Sequence, residues 1–192
     1  AERALVMDSL ENLEKLGPAQ WCGYSWSWLG NLRARAGQGE QAADALRIFA
    51  TCFCLPNSFH ANGDQSGTGK SSFTYRPFTL EGNFACAAGI LEMLLQSRGG
   101  LIRLFPAIPP GWDDVSFTTL RAEGAVLVSA TRQAGRVLEV TLLAEQPDRA
   151  GERDHFRQPA GWASRGLLDR FRGASTGLWE NSAPLAQGAA HF

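Results

Sequence analysis

The hydrophobic period of this 192-residue chain changes once, at Gly99-Gly100, and that change dictates two kinds of folded layer. Before it, apolar residues recur mostly at three to five positions, the spacing of one helix face; after it, they recur at every second position, the spacing of one strand face. Leu5, Val6, Leu10, Leu13 and Leu16 predict an amphipathic helix over 2–16, ended by Gly17-Pro18. Trp26, Leu29, Leu32 and Ala36 predict a second helix over 25–36, closed by Gly37 and Gly39. Ala45, Leu46, Phe49 and Phe53 predict a third, running from Glu40 to Leu55-Pro56. A fourth is expected over 82–96, where Ala85-Cys86-Ala87-Ala88-Gly89 is small and apolar on nearly all sides and so predicts central packing against other helices.

Beyond the change of period, Leu101–Phe105 is a short apolar run and Pro106, Pro109 and Pro110 stiffen the link. Strands are expected at Val115–Ala122, Ala125–Thr131 and Val137–Ala144, with hairpin turns at Glu123-Gly124 and Gln133-Ala134-Gly135. Such an antiparallel meander has open edges that want partner strands. Residues 146–192 carry no sustained period, only isolated Trp162 and Trp179 and one short helical stretch near 167–172, and are expected to form a weakly ordered tail. The expected architecture is therefore mainly α with a C-terminal β section, divided into 1–99, 100–145 and 146–192.

A formal net charge of -1 with 44% hydrophobic and 19% charged residues describes a soluble globular chain and gives no electrostatic reason for a nucleic acid or an acidic membrane surface as partner. No apolar run reaches the roughly 20 residues that span a bilayer. The chain starts Ala-Glu-Arg-Ala-Leu, without Met and within a helical pattern, so it reads as an internal piece and its compartment stays open. Cys22, Cys52, Cys54 and Cys86 lack the paired spacing of a zinc site and are taken as buried thiols; His60, His155 and His191 are too scattered to supply a metal site.

Chemistry concentrates in residues 57–84. Gly63, Gly67 and Gly69 with many Asn, Ser and Thr residues mark a long polar loop over 57–77, and Phe59, Phe73, Tyr75 and Phe78 predict that it is pinned to a surface. Sugars present hydroxyls at their rim and C–H groups on their faces, so alternating polar and aromatic groups suit them. Glu81, in the first turn of an apolar helix, is either a water-activating carboxylate favoured by the helix dipole or a simple helix cap. His60 is a sugar ligand or a structural hydrogen-bond partner; Asn62 and Asp64 are ligands or turn formers. Arg76, in extended backbone before Pro77, pairs with Glu81 or Asp64 or covers the surface. Trp26 and Trp28 cannot share one helix face, so one is core and the other faces a cavity.

Three stretches carry a resemblance: Tyr24-Ser25-Trp26-Ser27-Trp28-Leu29-Gly30-Asn31-Leu32-Arg33, Leu80-Glu81-Gly82-Asn83-Phe84, and Ala88-Gly89-Ile90-Leu91-Glu92-Met93-Leu94-Leu95-Gln96-Ser97. They resemble the last part of the catalytic domain of glycoside hydrolase family 95, the 1,2-α-L-fucosidase family. Leu104-Phe105-Pro106-Ala107-Ile108-Pro109 and Leu120-Arg121-Ala122-Glu123-Gly124 are similar to its passage into a C-terminal β domain. The resemblance implies the last helices of an (α/α)6 toroid followed by an antiparallel β-sandwich-like domain. It also implies inverting hydrolysis of a terminal α-L-fucosyl or related L-sugar, with an acid and an asparagine supplied by the upstream part of the domain and no cofactor.

The resemblance puts Glu81 where the family carries an aspartate and Ala85 where it carries glycine, and Tyr75-Arg76-Pro77-Phe78-Thr79 stands in place of His-Pro-Pro-Phe-Gln. Glu81 is thereby the expected water-activating residue, with His60, Asn62, Asp64, Arg76, Asn83 and Trp26 in or near the site of an oligosaccharide substrate. A secreted or periplasmic setting would suit the resemblance. Two other readings compete: a catalytically incomplete carbohydrate-binding or structural remnant, and a helical interaction module.

Overall fold

The structure, a computed structural model, describes residues 2–145 and 178–181. Four helices come first, α1 (Glu2–Leu16), α2 (Gly23–Arg35), α3 (Gly39–Cys52) and α4 (Glu81–Leu94). The strands are β1 (Leu95–Arg98), β2 (Leu101–Leu104), β3 (Val115–Ala122), β4 (Val126–Gln133), β5 (Arg136–Ala144) and β6 (Leu178–Asn181). A helical section followed by a mainly antiparallel β section is what the two hydrophobic periods predict. The chain divides into two compact units, Ala1–Met93 with Ala107–Pro110, and Leu94–Pro106 with Gly111–Phe192.

In the helical unit α2 and α3 pack together around Trp26, Leu29, Ala45 and Phe49. Gly37, at φ +76, closes α2 in the left-handed conformation that glycine adopts without strain. α1 buries Leu10 alone of its apolar row and leaves Leu5, Val6 and Leu16 exposed. Its Glu14 pairs with Arg33, a guanidinium almost wholly buried on α2. α3 ends at Cys52 rather than at Leu55-Pro56, because the following backbone is taken by other partners: Phe53 accepts the N–H of Ala61 at 2.8 Å and Leu55 donates to Phe59 at 2.9 Å.

Among the described residues α4 packs against other helices on one side only. Gly82, Gly89 and Met93 are buried on one side, whereas Phe84 is 67% exposed and Ile90 and Leu91 lie open on the other. The small residues serve one close approach: a Cβ on Gly89 would stand 2.9 Å from Leu46 of α3 and 3.2 Å from Asn31 of α2. α4 also stops at Leu94 instead of Gln96. Leu95–Arg98 pairs antiparallel with β2, Leu95 opposite Leu104 and Arg98 opposite Leu101. Gly99 and Gly100, at φ +60 and +76, form the two-residue left-handed turn that a tight hairpin requires, and this overrides the helix propensity of the preceding residues.

In the second unit β3, β4 and β5 form the expected antiparallel meander, and β1, β2 and β6 a separate three-stranded sheet in which β6 runs parallel to β2. Val126, Val128 and Ala130 on β4 are buried in alternation, so one face carries the packing. A bulge between Phe117 and Leu120 breaks the register of β3, with Thr119 at φ +55 donating its N–H to Ser129 Oγ at 2.9 Å. β6 falls in a stretch where no period announces a strand. The tail predicted for 146–177 and 182–192, with Trp162, His155, His191 and the short helix near 167–172, lies outside the described residues.

Candidate active site

The polar stretch after α3 is not an open loop. Residues 60–64 and 73–79 lie side by side, joined by main-chain hydrogen bonds. Asp64 N–H donates to Phe73 O at 2.7 Å, Gly63 N–H to Tyr75 O at 2.9 Å, Asn62 N–H to Pro77 O at 3.2 Å and Thr79 N–H to His60 O at 3.3 Å. The return bend is built by Asp64, whose Oδ1 accepts from Ser66 N–H at 2.7 Å and Oδ2 from Lys70 N–H at 2.8 Å. Burial alone would raise this carboxyl; hydrogen bonds from Ser66, Lys70 and Gly67 to its charged form outweigh burial and hold it below the usual carboxylate range. Asp64 is thus the organiser of the bend, the turn-forming role its position after Gly63 already allowed.

Trp26, expected to line the sugar site, lies instead in the core at 8% exposure, edge-on to Trp21. Its indole N–H reaches Lys70 O at 3.4 Å, so Trp26 and Asp64 grip opposite polar groups of Lys70 and fasten the bend to α2. Trp28 is the outward tryptophan.

His60 is wholly buried where three helices meet. Its ring sits 5.2 Å from that of Phe49 on α3, and Cβ atoms built on Gly23 of α2 and Gly82 of α4 would stand 2.2 Å and 2.6 Å from its ring nitrogens. Nδ1 lies 3.0 Å from Thr79 O and 2.8 Å from Thr79 Oγ1, while Nε2 has no partner. Burial lowers its pKa, against the Thr79 hydrogen bond and the charge of Glu81, so the imidazole is neutral at pH 7. A ring packed on all sides offers a sugar nothing; His60 is a keystone of the core.

Glu81 opens α4 with its carboxylate exposed to solvent and without a hydrogen bond or ion pair among the described residues. Capping by its side chain therefore has no bond to rest on. Asn83, expected among the substrate ligands, is committed to backbone: Oδ1 accepts from His60 N–H at 3.0 Å and Nδ2 donates to Ser58 O at 2.8 Å. Asn62 is half-buried and donates to the Tyr75 hydroxyl at 3.4 Å. Arg76 is exposed and pairs with neither Glu81 nor Asp64. The structure thus joins His60, Asn83 and Glu81 through backbone and charge, Asp64 and Trp26 through Lys70, and leaves Arg76 apart.

Phe59 and Phe78 stack at 5.0 Å with both rings exposed, and Tyr75 is exposed beside Phe73. Such rings are platforms on which the C–H face of a sugar can rest. Cys54 and Cys86 offer no competing nucleophile: burial and the neighbouring Cys86 push Cys54 up to about 11, and burial raises Cys86. All four cysteines are free, and only Cys52 is fully buried. Two residues that sequence reasoning did not single out also touch this region. Ser27 Oγ donates to Gly82 O at 2.9 Å, and Asn31 Nδ2 to Ala85 O at 2.7 Å. Their signal was two polar residues one turn apart within an apolar stretch of α2.

Residues 4–94 match the family model of the Glycosyl hydrolase family 95 catalytic domain. Over 126 residues the chain is 33% identical to Alpha-L-fucosidase 2 of Arabidopsis thaliana, a match covering 65% of this chain and 15% of that protein.

Proposed function

Residues 4–94 belong to the glycosyl hydrolase family 95 catalytic domain, and on that premise we propose that the protein containing this chain is an exo-acting glycosidase. It hydrolyses a terminal α-L-fucosyl or related L-sugar from an oligosaccharide with inversion, and Glu81 is its water-activating carboxylate. The observation that carries this reading is the state of Glu81: a solvent-facing carboxylate, without a hydrogen bond or ion pair among the described residues, on a helix turn held both from α2 and from the 58–60 segment. The name of the Arabidopsis relative supports the choice of sugar.

In the reaction Glu81 draws the proton from a water molecule as that water attacks the anomeric carbon. The glycosidic C–O bond breaks, and the leaving oxygen takes a proton from an acid on the opposite face. Inversion places two such groups about 6.5 to 9.5 Å apart with the water between them. The acid and a water-holding asparagine come from the upstream part of the domain. Phe59, Phe78 and Tyr75 offer C–H contacts to the glycan, while Asn62 and Arg76 are polar candidates on the same stretch of chain. His60, Asp64, Asn83 and Trp26 hold the wall in shape instead of touching sugar.

The helices belong to the end of an (α/α)6 toroid and lead into a β-sandwich-like domain. The open apolar side of α4, with Phe84, Ile90 and Leu91, is where upstream helices of the toroid pack.

The test is hydrolysis of aryl α-L-fucosides, L-galactosides and L-arabinosides by the full-length protein, wild type beside Glu81→Gln. Turnover selective for one sugar and reduced about 10²- to 10⁴-fold in the variant is expected. Equal turnover by a folded Glu81→Gln protein would end the assignment.

A further inference from the structure

We propose that Ser27 and Asn31 are positioning residues for Glu81: from α2 they hold the first turn of α4, and with it the carboxylate, in one register. The inference rests on the reading of Glu81 as the water-activating group. Ser27 is completely buried, and its hydroxyl reaches across 55 residues of sequence to Gly82 O at 2.9 Å. Asn31 donates one amide to two helices at once, to Ser27 O at 2.9 Å on its own helix and to Ala85 O at 2.7 Å on α4. From the other side Asn83 clasps Ser58 O and His60 N–H. Glu81 stands immediately before Gly82, so the turn that carries it is bound to two different parts of the fold.

These bonds are not needed to complete the helix. In α-helical geometry the carbonyls of Gly82 and Ala85 already receive the N–H groups four residues on, and a buried neutral hydrogen bond adds little net stability over an apolar contact of the same shape. What the bonds add is direction. On the buried side of α4 Gly82 sets the close approach to His60 and Phe49, Gly89 that to Leu46, and Met93 fills the far end; the donors of α2 add a directed restraint at the first turn, where Glu81 stands. Slippage of α4 by one residue would move Glu81 about 1.5 Å along the axis and 100° around it. Misplacement of a reacting group by about 1 Å costs on the order of 10²-fold in rate. Ser27 and Asn31 oppose that slip together with the two glycines, because their donors are aimed at the carbonyls of Gly82 and Ala85.

The experiment uses the full-length protein with Asn31→Asp, Ser27→Ala and Glu81→Gln beside wild type. It measures kcat and KM on an aryl α-L-fucoside and hydrogen exchange of the 81–86 segment. Asn31→Asp keeps the shape but sets acceptors against two carbonyls. It is expected to lower kcat about 10- to 100-fold with KM changed less than about 3-fold, and to speed exchange at 81–86 ahead of the remaining helices. Ser27→Ala, the milder change, is expected to do the same to a smaller degree. The proposal is overturned if Glu81→Gln is inactive while both α2 variants keep wild-type kcat, or if their loss of activity only follows their unfolded fraction. Full activity of Glu81→Gln removes the reading of Glu81 itself and this inference with it, a result distinct from either of those.

Discussion

Replacing Gly82 by alanine sets two effects of opposite sign against each other. Alanine is favoured over glycine within a helix by up to about 1 kcal/mol, and less in a first turn. The added methyl, however, would lie 2.6 Å from His60 Nδ1, 2.7 Å from Phe49 Cε2 and 2.9 Å from His60 Cε1. Carbon contacts are optimal near 3.5 to 4.0 Å, so each neighbour must retreat by roughly 0.6 to 1.4 Å. Neither ring is free to do so: Phe49 is 1% exposed, and His60 is wholly buried with Nδ1 held by Thr79. Overpacking of this kind costs about 1 to 3 kcal/mol, which leaves a net loss of up to about 2 kcal/mol after the full propensity gain. Urea unfolding followed by tryptophan fluorescence should give a lower midpoint at unchanged slope. Gly89→Ala, facing the flexible end of Leu46, should cost less. A Gly82→Ala protein as stable as wild type or more so would refute the close packing of α4 on His60.

His60 makes stability depend on pH in a defined direction. Its folded pKa lies below the ordinary 6.5, so the unfolded chain takes up the proton first. The contribution is complete above pH 6.5 and is lost as the pH falls from there toward the folded value, at up to about 1.4 kcal/mol per unit. Denaturation curves between pH 8 and 5 should show that slope, and His60→Gln should flatten it; equal slopes would remove His60 from this role. Asp64→Asn should loosen the bend at 64–70 by about 1 to 3 kcal/mol, because an amide NH₂ replaces one of the two accepting oxygens. Limited proteolysis should then cut near Gly67-Thr68-Gly69 before elsewhere, and an unchanged cleavage pattern would count against Asp64 as organiser.

Where side chains alone decide the structure, the sequence is readable. The rows through Trp26-Leu29 and Leu46-Phe49 place α2 and α3, and alternation places β3 to β5 within a residue or two. Where backbone pairing decides it, periodicity is silent. Residues 60–64 and 73–79 pair through main-chain groups that any side chain can carry, and Leu95–Arg98 becomes a strand only because two glycines follow. The acid at the head of α4 was legible; the geometry around it was not. Trp26 and Trp28 differ by two positions, so spacing says that one is inside but not which. For Asn83 and Asp64 the sequence offers polar groups fit for a ligand or a backbone, and only distance shows that the backbone takes them.

The reach of the Ser27 and Asn31 bonds also sets an order of assembly. α2 and α3 are neighbours in sequence and can associate soon after both leave the ribosome, since local contacts close at little entropic cost. α4 is different: its ties run back 54 and 55 residues, so the nascent chain must extend through the whole 57–80 stretch before they can form. The last of the four helices to be synthesised is therefore the clasp, and Glu81 acquires its place only when that clasp closes.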